Sequence, residues 1–183
     1  MSSMTAFNDT VRLRPAGTIQ RAPVDMAVRW LDTATRFSAT GGLLTGAELM
    51  RQMRQRWTAN GLVHPTPDPE STLARWVVAG SVLSIESPWG HLLPTFQFDP
   101  ATATAYPAMR PLLQLLRPVF DDTELALWFV TPNDWLGDLC PAQAMHAQLS
   151  LVQMAARRGA TVFATASSAQ KRAVASARGA HHA

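Results

Sequence analysis

Apolar positions recur along this chain in two rhythms, and the change between them organises it. Val24, Ala27, Val28, Leu31, Ala34 and Phe37 fall three and four apart, the spacing of one helical face, so a helix is predicted over Val24–Phe37. Gly41-Gly42 break it. Thr45 followed by Glu48 is a capping-box pattern and opens a second helix, Gly46–Trp57. That helix turns Leu49, Met50 and Met53 inward and spreads Arg51, Arg54 and Arg56 over its other side. Asn60-Gly61 ends it, and the proline-rich run from His64 to Pro69 reads as a rigid link. Ser71 or Thr72 is expected to cap a short helix, Leu73–Ala79, stopped by Gly80.

The period then shortens to two. Ser81–Glu86 alternates apolar and polar, Ser87-Pro88-Trp89-Gly90 is a turn, and His91–Phe98 is a second extended run, together a β-hairpin. Helical spacing returns at Met109–Leu116 and again at Glu124–Val130, with Asp121, Asp122 and Thr123 as caps. Thr131-Pro132-Asn133-Asp134 is a turn and Gly137 is expected at positive φ. Pro141 suits the start of a last helix, Ala142–Arg158, which Gly159 should terminate. The polar first 22 residues read as a mobile arm and residues 160–183 as a disordered basic tail. The expected architecture is mainly α, a small helical bundle with one β-hairpin.

Composition narrows the class. Of 183 residues 47% are hydrophobic and 16% charged, enough apolar material for a real core. No apolar run approaches the roughly 20 residues of a membrane-spanning helix, and the first residues show no apolar signal core, so a cytoplasmic protein with no membrane partner is expected. Cys140 is the single cysteine, which removes a disulfide framework and any cysteine-based zinc cluster. The net charge of +3 hides a segregation. Residues 1–63 carry +4, residues 64–110 carry −2, residues 111–150 carry −4, and residues 151–183 carry +5 with no acid. All the basic residues but Lys171 are arginine. A GC-rich coding sequence accounts for that better than selection for phosphate geometry.

Catalytic patterns are sparse. His64, His91, His146, His181 and His182 pair with no acid at metal-ligand spacing, and no phosphate-binding glycine loop or nucleophile elbow is present. Cys140 before Pro141 is read as a small buried residue or cap, and Asp121-Asp122 as caps. No enzyme activity, cofactor or metal is expected. Five of the six tryptophans, Trp30, Trp57, Trp76, Trp128 and Trp135, sit among aliphatic residues and are assigned to the core. Trp89, at the hairpin tip, is the candidate interface anchor.

Helix, helix, hairpin is the order of winged and MerR-like DNA readers, in which the second helix enters a major groove. On that reading Arg51, Arg54, Arg56 and Arg75 are the DNA-binding candidates, and the basic N-terminal third supplies phosphate contacts. The long connector between the helices and the single base on the second helix weigh against it, and the alternative, in which Leu73, Trp76 and Val77 pack a small domain and the arginines form a solvated face, stands level with it.

Two segments carry a resemblance. One is Leu92-Leu93-Pro94-Thr95-Phe96-Gln97-Phe98-Asp99. The other runs from Glu124 to Pro141, with Trp128, Pro132-Asn133, Leu136-Gly137 and Pro141 at fixed intervals. Together they resemble the antitoxin domain shared by the MbcA/ParS/Xre group (DUF2384-like), over roughly residues 71–158. The resemblance implies an antitoxin that covers the active site of a RES-type, NAD-degrading toxin with its C-terminal domain and chain end. It also implies promoter binding through the N-terminal helical part. Toxin contacts would then fall to Trp128, Pro132, Asn133, Leu136, Gly137, Pro141, Arg157 and Arg158, and the protein would be a homodimer. Where the group usually has a second glycine, this chain has Asp138. The resulting division is a 1–22 arm, a 23–99 helical domain with hairpin for DNA, a 100–159 toxin-binding domain and a 160–183 tail. A stand-alone DNA-binding regulator without a toxin is the alternative.

Overall fold

The computed structural model describes residues 24–61 and 68–179, with side chains over 30–61 and 68–165. The expected arm at 1–22, and His64, His181 and His182, lie outside the described residues. The elements run α1 (Val24–Thr35), β1 (Leu43–Thr45), α2 (Gly46–Ala59), α3 (Pro69–Val78), β2 (Ile85–Ser87), β3 (Gly90–Pro94), α4 (Met109–Leu116), α5 (Asp122–Val130), α6 (Pro141–Ala144) and α7 (Leu149–Gly179). The fold is mainly helical with one small antiparallel sheet, as the sequence patterns predict.

α1 is where helical spacing misled about burial. Leu31, expected inward, is 60% exposed, while Trp30 packs against the main core and Phe37 is fully buried just beyond the helix end. Thr45 caps α2, its hydroxyl accepting from the Glu48 N–H at 3.1 Å. Leu49, Met53 and Trp57 form the buried stripe, with Trp57 in place of the expected Met50. α3 starts earlier than expected because Asp68, not Ser71 or Thr72, is its cap: the carboxylate accepts from the N–H groups of Glu70 and Ser71, and Pro69 occupies the first turn.

The hairpin is shorter than the alternating pattern implied, and it is joined by a third strand. β3 pairs antiparallel with β2 on one side, Ile85 opposite Leu92, and with β1 on the other, Leu44 opposite Leu93. Extension stops at either end for a chemical reason. The buried Gln97 amide accepts from the Leu83 N–H at 2.7 Å and donates to the Leu83 C=O at 2.9 Å, so a side chain supplies the bonds a longer ladder would have made. Thr95 meanwhile donates its hydroxyl to the carbonyls of Thr40 and Gly42, and the segment 95–97 curls into a 3₁₀ turn.

α4 buries Met109, Leu112, Leu113 and Leu116, a clean helical stripe. Asp121 and Glu124 form a reciprocal capping box at the start of α5. The expected last helix, 142–158, is two helices. α6 is a single turn, the chain bends over 145–148 where the His146 ring rests 4.5 Å from the Tyr106 ring, and α7 then begins. α7 does not stop at Gly159 but runs to Gly179, so the expected disordered tail at 160–183 is helical over its described part. Alanine is the strongest helix former, and an alanine-rich segment needs no hydrophobic period to extend a helix already nucleated.

The cores ignore the expected boundary at residue 100. The larger cluster combines Phe37, Leu83, Ile85 and Phe96 with α4, α5 and the first half of α7. A smaller one joins Leu49, Met53, Trp57, Val82, Leu93, Phe98 and Ala103.

Candidate functional site

Two surfaces bear on function: the helix–helix–hairpin unit and the face formed by the 131–141 turn with α7. In the first, α2 and α3 pack together, the hairpin follows α3 directly, and β1, which leads into α2, closes the sheet in the order β1-β3-β2. The Pro88-Trp89 turn stands at the tip of this hairpin. Ser87 fixes that tip, donating its hydroxyl to the Gly90 carbonyl and accepting from the Trp89 N–H. Trp89 is 52% exposed, matching its expected place outside the core.

The arginines expected to meet DNA are not equivalent. Arg54 and Arg75 are exposed and Arg56 is half-buried. Arg51 is exposed but forks onto Glu48, at 2.6 and 2.9 Å. The Gln52 amide and then Arg51 hold the Glu48 carboxyl below its ordinary range. That pair leaves Arg51 poorly placed for a phosphate, whereas Arg75 stands at the edge of α3. Of the expected alternative, Leu73 and Trp76 do pack the smaller core, but Val77 is 42% exposed.

In the second surface, most of the residues expected to touch a partner build the platform instead. Leu136 and Pro141 are buried. Trp128 is half-buried, edge-on to Phe129, and its indole nitrogen lies beside Gly159. The Asn133 side chain accepts from the Trp135 N–H at 3.0 Å and caps a 3₁₀ turn over Asp134–Leu136. Gly137 closes that turn at φ +63, and Asp138 follows at φ +66, a conformation glycine adopts at less cost. Of the expected contacts Pro132, Gly137, Arg157 and Arg158 face solvent, and so, against expectation, does Trp135, which is 53% exposed. The Arg158 guanidinium sits 4.0 Å over the Trp135 ring. The sequence signal for this was available in outline, since a tryptophan following Asn-Asp in a turn has few neighbours to bury it.

Beyond Ala160, Phe163 meets Phe120 edge-on at 4.6 Å, and residues 161–165 are all exposed. The remaining turns carry Lys171, Arg172 and Arg178. Cys140 is buried, and its backbone N–H donates to Gln143. Among the described residues no group of three or more His, Cys, Asp or Glu side chains is arranged to hold a metal ion, and no helix is long and apolar enough to cross a membrane. No family model, curated protein or solved structure matches this chain.

Proposed function

We propose that this protein is an antitoxin-like binding protein that neutralises a partner toxin through its C-terminal helix and regulates its own promoter through the winged unit. The observation that carries the first half is α7. It is anchored by Val152, Ala155 and Ala156, is exposed over residues 161–165, and runs to Gly179 through a segment whose charged residues are all basic. A helix whose last turns carry only basic charges is complementary to a cleft built for an anionic dinucleotide, the substrate class that the resemblance implies for the toxin. The β1-α2-α3-β2-β3 connectivity supports the second half.

The decisive experiment uses the open reading frame adjacent to this gene. Expressed alone it should arrest growth, and co-expression of the full chain should restore it. A chain ending at Thr165 should fold but fail to rescue. Absence of arrest, or full rescue by the shortened chain, overturns the toxin-binding role. A stand-alone regulator is the second reading. It is favoured by the use of Trp128, Leu136, Gly137 and Pro141 in building the fold, which gives that motif a purpose without a toxin.

A further inference from the structure

Several large apolar side chains left exposed on this chain belong to α7 and to the 131–139 turn packed on it. Leu151, Arg158 and Val162 stand seven and four residues apart, so they share one stripe of α7 within an arc of about 40°. Leu151 and Val162 are both exposed. At the middle of the stripe the Arg158 guanidinium lies against the Trp135 ring. Leu139, exposed in the same turn, is tied beside Trp135 by its carbonyl, which accepts from the Asn133 N–H at 3.1 Å. Charges of both signs rim the patch: Asp134 and Asp138 on the turn, Arg157 and Arg158 on α7, all exposed. Among the described residues none of these four forms an ion pair within the chain, although turn and helix touch.

A tryptophan held against an arginine and left half open to water has the character of an interface anchor. A surface that serves a partner of one charge carries the opposite charge. This one carries its own complement, which is what a twofold contact requires, since there the same patch meets itself. We propose that the 131–139 turn and the Leu151–Val162 stripe form a self-complementary interface with a second copy of this chain, the turn of each copy lying on α7 of the other. Asp134 and Asp138 then meet the partner's Arg157 and the partner's Arg158, twice over, while Trp135, Leu139, Leu151 and Val162 leave water. Stacking on the Trp135 ring leaves the Arg158 N–H groups pointing outward in the guanidinium plane, open to a carboxylate. Two α7 stripes laid directly on each other are disfavoured by charge, because residues 151–183 hold no acid to offset the arginines. The inference stands apart from the toxin-binding reading, which uses the later turns of α7.

Sedimentation equilibrium of the full chain, with no toxin or DNA present, should show a concentration-dependent dimer. Trp135→Ala should weaken it by about tenfold or more. Arg157→Asp and Asp134→Arg should each lower self-association, because each variant brings like charges together on both sides of the twofold. Mixed in equal amounts, the two variants should associate again, since every such contact then joins an arginine to an aspartate. Both changes lie at exposed positions, and far-ultraviolet circular dichroism checks that each variant is folded. The charge pair decides alone if Trp135→Ala does not fold. A full chain that stays monomeric up to its solubility limit overturns the inference. So does a dimer indifferent to Trp135→Ala, or folded charge variants that fail to associate when mixed. None of these outcomes bears on growth rescue, so the toxin-binding reading stands or falls separately.

Discussion

Both polar ends of the buried Gln97 side chain are satisfied by one residue, Leu83, fourteen positions away. Its neighbours divide between the cores: Phe96 stacks on Phe129 at 5.0 Å and Phe98 packs near Trp76. Gln97→Leu fills the space but leaves the Leu83 N–H and C=O buried without partners. It should therefore destabilise by about 2–4 kcal/mol in urea unfolding, well beyond an ordinary surface change. A loss under 1 kcal/mol would mean that water replaces the amide. Gly137→Ala is a second residue-scale case. Nothing lies near the added methyl, so its cost is the left-handed backbone alone, about 1–2 kcal/mol. Gly137 was legible in the sequence because turn chemistry is local. Gln97 stands out within the Leu92–Asp99 segment, but its job is not legible there, since nothing near it in sequence names Leu83 as its partner.

Caps and termini decide the elements. Asp68 is held below the ordinary aspartate range, first by the Ser71 hydroxyl and then by the backbone N–H groups at the start of α3. A lowered folded-state pKa adds stability above the unfolded value, and that contribution fades as pH falls through the folded one. Acid should thus weaken α3 from the ordinary aspartate range downward, and Asp68→Asn, which keeps an acceptor oxygen, should flatten this dependence in circular dichroism titrations. At the other end, Gly159 lies inside α7 with ordinary van der Waals room for a methyl group beside Trp128. Gly159→Ala should then stabilise by roughly 0.5–1 kcal/mol through helix propensity, raising Tm. A fall in Tm would mean that the Trp128 contact is tighter than it looks. Helices with caps and apolar stripes, α2, α4 and α5, were legible nearly to the residue. The outer half of α7 was not, because glycine followed by an aperiodic segment reads as a stop, while alanine content and a buried first half carry the helix through.

At the scale of the molecule, the halves drawn at residue 100 share one core, and a polar clamp reinforces the joint. Arg117, at the end of α4, donates to the carbonyls of Gly80 and Val82 at 2.9 and 3.1 Å and also to Asp122 at 3.3 Å. Gly80 is at φ +61, and a methyl there would lie 2.5 Å from the guanidinium, so a side chain at this position would push the end of Arg117 off its carbonyl acceptors. Composition and spacing divided the chain by charge and motif, and neither reports which side chains meet after folding. The consequence is cooperativity. Two independent domains would unfold in two steps, whereas one core containing Phe37, Leu83, Ile85 and Phe96 together with Leu113, Leu125, Phe129 and Val152 cannot lose either half alone. Tryptophan fluorescence and far-ultraviolet circular dichroism should therefore trace a single coincident urea transition. A fragment of residues 100–179 should stay unfolded, since it lacks four large members of its own core. Arg117→Ala should shift the midpoint by about 1–2 kcal/mol, a value set by two backbone acceptors losing a partly solvent-exposed partner, while the two probes stay superimposed. Separate transitions, or a folded 100–179 fragment, would restore the two-domain division and confine the clamp to a local role.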